Sequence, residues 1–382
     1  MIVFFRREAL FVLAFLLVPN TRAFAQPGFA YSIDSKSFVN FDLGRAPLGI
    51  NDVGQLVGEY PLDGSLPVHA FIKNQNVITD FDFPGAYFTS ANGINNAAQI
   101  VGNRCSLSSN PPYGIDCAGF MKNGNTFTSY VYPGALFTYA NAINNTGQVV
   151  GKYRVEVAVG PHSVQDFDHG LVVENNVLTA FDFPGAYSTE ATSVNDAAEI
   201  VGTYVELITS WPGFRYRGFL KQGDTFSSID YPGVLFTFVN GINNFGHVVG
   251  GYQDKYGFHH GFIKDGHQFT SFDVPGADTF PSGINNSGHV IGMYYPRPVV
   301  NTVNTLIAQV SQLGLPHGTT NSLVTQLQAA IAAFGRGDLP DACANIGNFI
   351  HHVNAQAGKK ISSSVADALI AAGQRIQAML GC

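Results

Sequence analysis

The stretch Gly49-Ile50-Asn51-Asp52-Val53-Gly54-Gln55-Leu56-Val57-Gly58 is an apolar approach, a tight polar reversal and an apolar exit, and it recurs along the chain. It returns at Gly93-Ile94-Asn95-Asn96, Ala142-Ile143-Asn144-Asn145, Ser193-Val194-Asn195-Asp196, Gly241-Ile242-Asn243-Asn244 and Gly283-Ile284-Asn285-Asn286, with starts 44, 49, 51, 48 and 42 residues apart. Asparagine tolerates a left-handed backbone and glycine meets one without strain, so each copy reads as a hairpin turn. A second motif alternates with the first, a short apolar hairpin that closes on Asp, a large apolar residue, Pro and Gly. Its clear copies are Phe81-Asp82-Phe83-Pro84-Gly85, Phe181-Asp182-Phe183-Pro184-Gly185, Ile229-Asp230-Tyr231-Pro232-Gly233 and Phe272-Asp273-Val274-Pro275-Gly276. With the degenerate copies Phe41-Asp42-Leu43-Gly44 and Tyr130-Val131-Tyr132-Pro133-Gly134, each motif occurs six times.

Within one repeat, Gly261-Phe262-Ile263-Lys264, a turn at Asp265-Gly266 and the run Phe269 to Asp273 alternate as a half-buried hairpin does. Proline cannot donate to a ladder, so the closing Pro-Gly ends the fourth strand. Four short antiparallel strands in about 45 residues match one propeller blade. The repeat region enters with a second hairpin (Tyr31 to Asp42) and leaves with a first hairpin (Gly283 to Tyr294), so the two ends can complete one shared blade and leave no open edge. The expected fold is an all-β repeat domain closed as a six-bladed β-propeller, with an open β-solenoid or array as the alternative. A small all-α helical bundle follows it.

His69-Ala70-Phe71, its variants His169-Gly170-Leu171 and His260-Gly261-Phe262, and the Gly-Ile-Asn-Asn turns resemble the HAF repeat family of bacterial extracellular proteins, over roughly Tyr31 to Tyr295. Ala118 and Arg217 stand where the histidine would, so it is not required in every repeat. The resemblance implies export and a repeat scaffold, and no established activity. After Pro298 the pattern turns helical: Leu306, Val310 and Leu313 share one face, Leu323, Leu327, Ile331 and Phe334 the next, and further helices run from about Pro340 to Ala357 and Ser364 to Leu380. Leu313-Gly314-Leu315-Pro316-His317-Gly318, the segment Phe349 to Lys360 and the terminal Gly381-Cys382 resemble the FIMAH domain that many exported bacterial proteins carry.

Met1 to Ala25 has the three parts of a secretory signal: Arg6-Arg7, an apolar run from Ala9 to Val18, and Ala23-Phe24-Ala25 before Gln26. The run falls short of the roughly 20 residues of a bilayer crossing, and no later segment is apolar enough for one. The expected division is a signal peptide over 1–25, the repeat domain over 26–298 and the helical domain over 299–382. The protein would be secreted, with the periplasm or the cell surface as alternatives. A net charge of -7 with only 20 Lys and Arg gives no basic field for nucleic acid.

Four cysteines in an exported chain read as disulfides, Cys105 with Cys117 across one hairpin and Cys343 with Cys382 around the last helix. No close C-x-x-C pair suggests zinc, and neither adjacent histidine pair, His259-His260 or His351-His352, aims two ligands one way, so no metal and no cofactor is expected. Asp82, Asp182, Asp230 and Asp273 recur at one position and read as hydrogen-bonding groups at strand ends rather than a catalytic pair. The repeated asparagines read as turn holders. Length variation falls between the second and third strands, and Trp211, Tyr216, Tyr113 and Tyr256 from those segments are expected to be exposed ligand-binding residues. Link aromatics such as Tyr87, Phe88, Phe137, Tyr187, Phe236 and Phe280 could join them or pack between blades. The function expected is a non-enzymatic scaffold that binds a glycan or an extracellular protein. The alternative is a glycan-active hydrolase or lyase.

Overall fold

The computed structural model describes residues 28–41, 45–60, 67–107, 114–160, 163–209, 212–255, 257–274, 277–296, 299–335 and 338–382. The expected signal segment, with Arg6, Arg7 and the cleavage site after Ala25, lies outside the described residues. The described chain divides into two compact units. Of the described residues, one unit comprises those within 28–252, Gly261–Thr270 and Phe280–Met293, and the other those within Gln253–His260, Ser271–Thr279 and Tyr294–Cys382.

The turn of each first motif is held by its asparagine. Asn144 Oδ1 accepts the backbone N–H groups of Thr146 at 3.1 Å and Gln148 at 2.9 Å, and Gly147 takes φ +86°. Asn51, Asn95, Asn195, Asn243 and Asn285 each accept the N–H four residues ahead in the same way. Leaving the turns, the chain forms β1 (Gly28–Ser32), β2 (Ser37–Phe41), then β3 (Ala46–Ile50), β4 (Leu56–Tyr60), β5 (His69–Asn74) and β6 (Val77–Phe81). It continues as β7 (Phe88–Ile94), β8 (Ile100–Leu107), β9 (Ile115–Asn123), β10 (Thr126–Tyr130), β11 (Phe137–Ile143), β12 (Val149–Gly160), β13 (Ser163–Glu174) and β14 (Val177–Phe181). The remaining strands are β15 (Ser188–Val194), β16 (Ile200–Leu207), β17 (Phe214–Gln222), β18 (Thr225–Ile229), β19 (Phe236–Ile242), β20 (Val248–Gln253), β21 (His259–Asp265), β22 (Gln268–Phe272), β23 (Ala277–Ile284) and β24 (His289–Pro296).

Among the described residues these strands pair as antiparallel meanders: β3 to β6 in one four-stranded sheet, β7 to β14 in one eight-stranded sheet, and β15 to β22 in another. Each eight-stranded sheet is two meanders joined by a single parallel bridge, Phe137 to Cys117 in one and Tyr216 to Phe236 in the other. An isolated bridge from Val68 to Phe88 links the first meander to the second in the same manner. The last sheet has the order β2-β1-β24-β23, with β1 antiparallel to β24 from Gly28 opposite Met293 to Ser32 opposite His289. The two ends of the repeat region therefore share one sheet, as the order of hairpins in the sequence indicates.

The Val-Gly that closes the first motif has its own cause. The strand before the turn is bulged: register slips between Pro47 and Gly49, Ala91 and Gly93, Ala140 and Ala142, and Ala191 and Ser193. The extra residue twists the strand toward its partner. A Cβ on Gly151 would lie 1.9 Å from the Tyr139 carbonyl oxygen, and Cβ atoms on Gly58, Gly102, Gly202, Gly250 and Gly292 would meet the equivalent oxygens at 1.8 to 2.2 Å. The preceding Val57, Val101, Val150, Val201, Val249 and Ile291 are fully buried.

Two expectations change. The variable segments between second and third strands are in part strand: β12 and β13 stay paired out to Gly160 opposite Ser163, and Phe214 and Tyr216 lie in β17 rather than in a loop. Leu313 is 36% exposed, because helix α1 (Val299–Gln312) ends one residue before it. Three further helices follow, α2 (His317–Gly335), α3 (Leu339–Gln356) and α4 (Ser363–Leu380). Leu306, Val310, Leu323 and Leu327 are buried in the helical core, with Ile331 and Phe334 packed against it. Asp338 caps α3 through the Asp341 N–H, and Gly381 ends α4 at φ +82°. No described helix is long and apolar enough to cross a membrane.

Both disulfides are formed, Cys105–Cys117 between directly opposed residues of β8 and β9, and Cys343–Cys382 from α3 to the chain end. The second spans 39 residues against 12 for the first, and longer loops restrict the unfolded chain more. Cys382→Ser is therefore expected to destabilise the helical unit by about 3–4 kcal/mol and Cys117→Ser the repeat unit by about 2–3 kcal/mol. Urea unfolding of each variant against the native chain measures this, and variant midpoints equal to the native one would contradict it.

Candidate functional site

The turn asparagines do more than hold turns. Each sends its Nδ2 to the backbone carbonyl of the next: Asn51 to Asn95 at 3.0 Å, Asn95 to Asn144 at 3.1, Asn144 to Asn195 at 2.9, Asn195 to Asn243 at 3.3, Asn243 to Asn285 at 3.2, and Asn285 back to Asn51 at 3.1. The circuit closes on itself. A second circuit runs one residue on, where the N–H groups of Asp52, Asn96, Asn145, Asp196, Asn244 and Asn286 each donate to the next residue's Oδ1, ending with Asn286 to Asp52. Asp52 accepts Nδ2 of both Asn96 and Asn286, and Asp196 that of both Asn145 and Asn244. Burial alone would raise the Asp196 carboxyl, but these amides outweigh it and hold the group below its ordinary value. The rings, with their flanking isoleucines and Val194, line a cavity of about 60 Å³.

A third set of ties starts from the residue before each motif. Asn92, Asn141, Thr192, Asn240 and Ser282 donate to carbonyls of Ala140, Ala191, Val239, Pro281 and Pro47 in the following meander. In the sixth copy Leu48 stands there and has no such group.

The repeated aspartates do hydrogen-bond at strand ends, and the structure supplies the partner. His69 Nδ1 meets Asp82 at 2.8 Å, His169 meets Asp182 at 2.9 Å, His260 meets Asp273 at 2.7 Å, and Arg217 pairs with Asp230. Each pair is 13 residues apart in sequence. Where the histidine is missing, at Ala118, the residue 13 further on is Val131, so donor and acceptor are lost together. That paired change was visible in the sequence.

One junction between meanders carries charge. Lys152 Nζ contacts Asp168 at 3.0 Å and Glu190 at 3.1 Å, Arg154 forks onto Asp168 at 2.7 and 2.9 Å, and Asn141 reaches Glu190 at 3.1 Å. Burial pushes the Asp168 carboxyl up, yet Lys152 and Arg154 prevail and hold it at about 2. Burial likewise opposes the Lys152 charge, but Glu190 and Asp168 keep it above its ordinary value. Glu59 differs: burial raises its carboxyl, and Ser90 offsets this only in part. Because Asp168 titrates lower in the fold than in the unfolded chain, its contribution of about 2 kcal/mol is present above pH 4 and lost as the pH falls through about 2. Asp168→Asn should flatten that acid limb in unfolding measured from pH 2 to 5, and an unchanged limb would contradict it.

Of the expected ligand residues, Trp211, Tyr113 and Tyr256 lie outside the described residues. Tyr216 is half-buried rather than substantially exposed, in an aromatic group with Phe214 at 5.7 Å, Phe236 at 6.0 Å and Phe238 at 5.1 Å. Tyr87, Phe88, Phe137, Tyr187, Phe236 and Phe280 are also half-buried. Across consecutive meanders, Tyr187 meets Phe167 at 5.1 Å and Phe236 meets Phe214 at 6.1 Å. The aromatics of the second motif stack on tyrosines of the second strands, Tyr132 on Tyr153, Phe183 on Tyr204 and Tyr231 on Tyr252, with centroids 3.7 to 3.8 Å apart.

No family model matches the chain, and no curated protein matches it. Among solved structures it is similar to the β-propeller domain of the trilobed protease from Pyrococcus furiosus, with a TM-score of 0.40 and 9% identity, covering 67% of this chain and 79% of that one. That likeness is too distant to bear on function.

Proposed function

We propose that this chain is an exported, non-enzymatic scaffold that binds a glycan or an extracellular protein, built as a closed six-bladed propeller of HAF-type repeats with a FIMAH-like helical domain. The closed asparagine circuits carry this reading, since they tie first meander to last. The repeat's histidines, aspartates and asparagines are consumed in such ties, which leaves recognition to residues that differ between repeats. Trp211, Tyr113 and Tyr256, with the Tyr216 group, are those residues. The hydrolase or lyase alternative has one observation in its favour, two carboxylates on a single ammonium at Lys152. An Asp168 held at about 2 is no proton donor at neutral pH.

Purified mature protein on a glycan array and a panel of surface proteins, alongside a reducing-end assay on the same glycans, tests the reading. Saturable binding without released product is expected, weakened by about 1–3 kcal/mol in Trp211→Ala. Product release would establish the enzyme instead, and a failure to bind any probe would remove the scaffold reading.

A further inference from the structure

His260 differs from its counterparts in the other repeats. Among the described residues His69 and His169 each hydrogen-bond a single carboxylate, through Nδ1, and have side chains 32% and 28% exposed. His260 faces two, Asp273 at 2.7 Å from Nδ1 and Asp254 at 3.3 Å from Nε2, and its side chain is only 13% exposed. A carboxylate accepts and does not donate, so both ring nitrogens can serve these partners only when both carry protons. The bridge is complete in the imidazolium form and loses one arm in either neutral tautomer.

Asp254 also closes a turn. Its Oδ1 accepts the Phe258 N–H at 2.9 Å, its own N–H donates to the Phe258 carbonyl at 2.9 Å, and its carbonyl accepts from Gly257 at 3.0 Å. Phe258 is packed against the buried core of the helical unit, to which this turn belongs. Among the described residues the charged and titratable groups near the ring include Asp254 from the turn, with Lys255 next to it in sequence, His259 beside the ring on β21, Asp273 after β22, and Asp278 in β23, which accepts the His259 N–H at 3.0 Å. Among the described residues Oδ1 of Asp273 is enclosed without a hydrogen-bond partner, and Oδ2 meets His260.

We propose that Asp254, His260 and Asp273 form an acid-latched clasp that seats Phe258 on the helical core and releases it as the pH rises. Closed, the clasp holds a proton that the open ring gives up. Linkage then makes opening more favourable by up to tenfold per pH unit, over the range where the open ring is neutral and the closed ring is charged.

Hydrogen exchange of the peptide spanning residues 253–260, corrected for chemical exchange and followed in the full mature chain at about pH 6 and about pH 8, tests this. The native chain should lose at least tenfold protection between the two, whereas His260→Gln should show the lower protection at both. Asp254→Asn is the second variant. It keeps the His260–Asp273 pair, the arrangement His69 and His169 adopt with Asp82 and Asp182, and it should abolish the pH dependence. Equal native protection at both pH values, or the native pH dependence persisting in His260→Gln, would overturn the clasp.

Discussion

Gly151→Ala is expected to leave the chain without a stable fold, while Gly147→Ala, four residues earlier, is expected to cost only about 1 kcal/mol. The two glycines belong to one motif and answer to different constraints. Gly147 has φ +86° and open space where a Cβ would go, so alanine there meets only backbone strain. At Gly151 the added atom would fall 1.9 Å from the Tyr139 oxygen and 2.9 Å from its carbonyl carbon, both backbone atoms of the paired strand. No rotamer relieves that contact. β11 and β12 would have to part at the ladder's most buried point, beside Val150 at 0% exposure. A loss on the order of 4 kcal/mol or more is comparable with the whole stability of many domains. Urea unfolding of both variants measures the difference, and similar midpoints would mean that the two strands have room to separate.

How much of this could be read from the sequence depends on what a residue's partner is. The hairpins were legible because their cause is local: an asparagine bonded two to four residues ahead and a residue with positive φ, glycine in four copies and Ala98 or Ala198 in the other two, leave a pattern in one stretch of chain. The shared sheet was legible too, since hairpin order at the two ends fixes which strands remain to pair. The asparagine circuits were not, because the acceptor of Asn144 is 51 residues away and the turn role already accounted for the residue. The His–Asp pairs fall between these cases. Their constant spacing, and the joint loss at Ala118 and Val131, carry the signal, but it shows only when two positions 13 residues apart are compared together. The exposure expected of Tyr216 failed because strand β17 runs further than the motif spacing implies, and it delivers the ring to Phe236 and Phe238 of the following meander.

Asn144→Ala is expected to destabilise the repeat unit by about 3 kcal/mol, and Asn285→Ala by the same amount. The side chain of Asn144 is buried, accepts from Thr146 and Gln148, and donates to the Asn195 carbonyl. Truncation strands two part-buried N–H groups and one buried carbonyl, and each stranded group costs about 1 kcal/mol. Its neighbour Asn145 is exposed, so Asn145→Ala should cost nearer 1 kcal/mol because water replaces what is lost. Asn285 is the informative comparison. Its Nδ2 donates to Asn51, 234 residues away, and is thus the link that closes the circuit. In a closed ring every link is equivalent, and removing the closing one costs what removing any other costs. In an open array Asn285 would face solvent at one end, its donor would already be satisfied by water, and its loss would be close to that of Asn145. Urea midpoints of the three variants therefore decide between the two architectures, and a loss at Asn285 well below that at Asn144 would rule out closure.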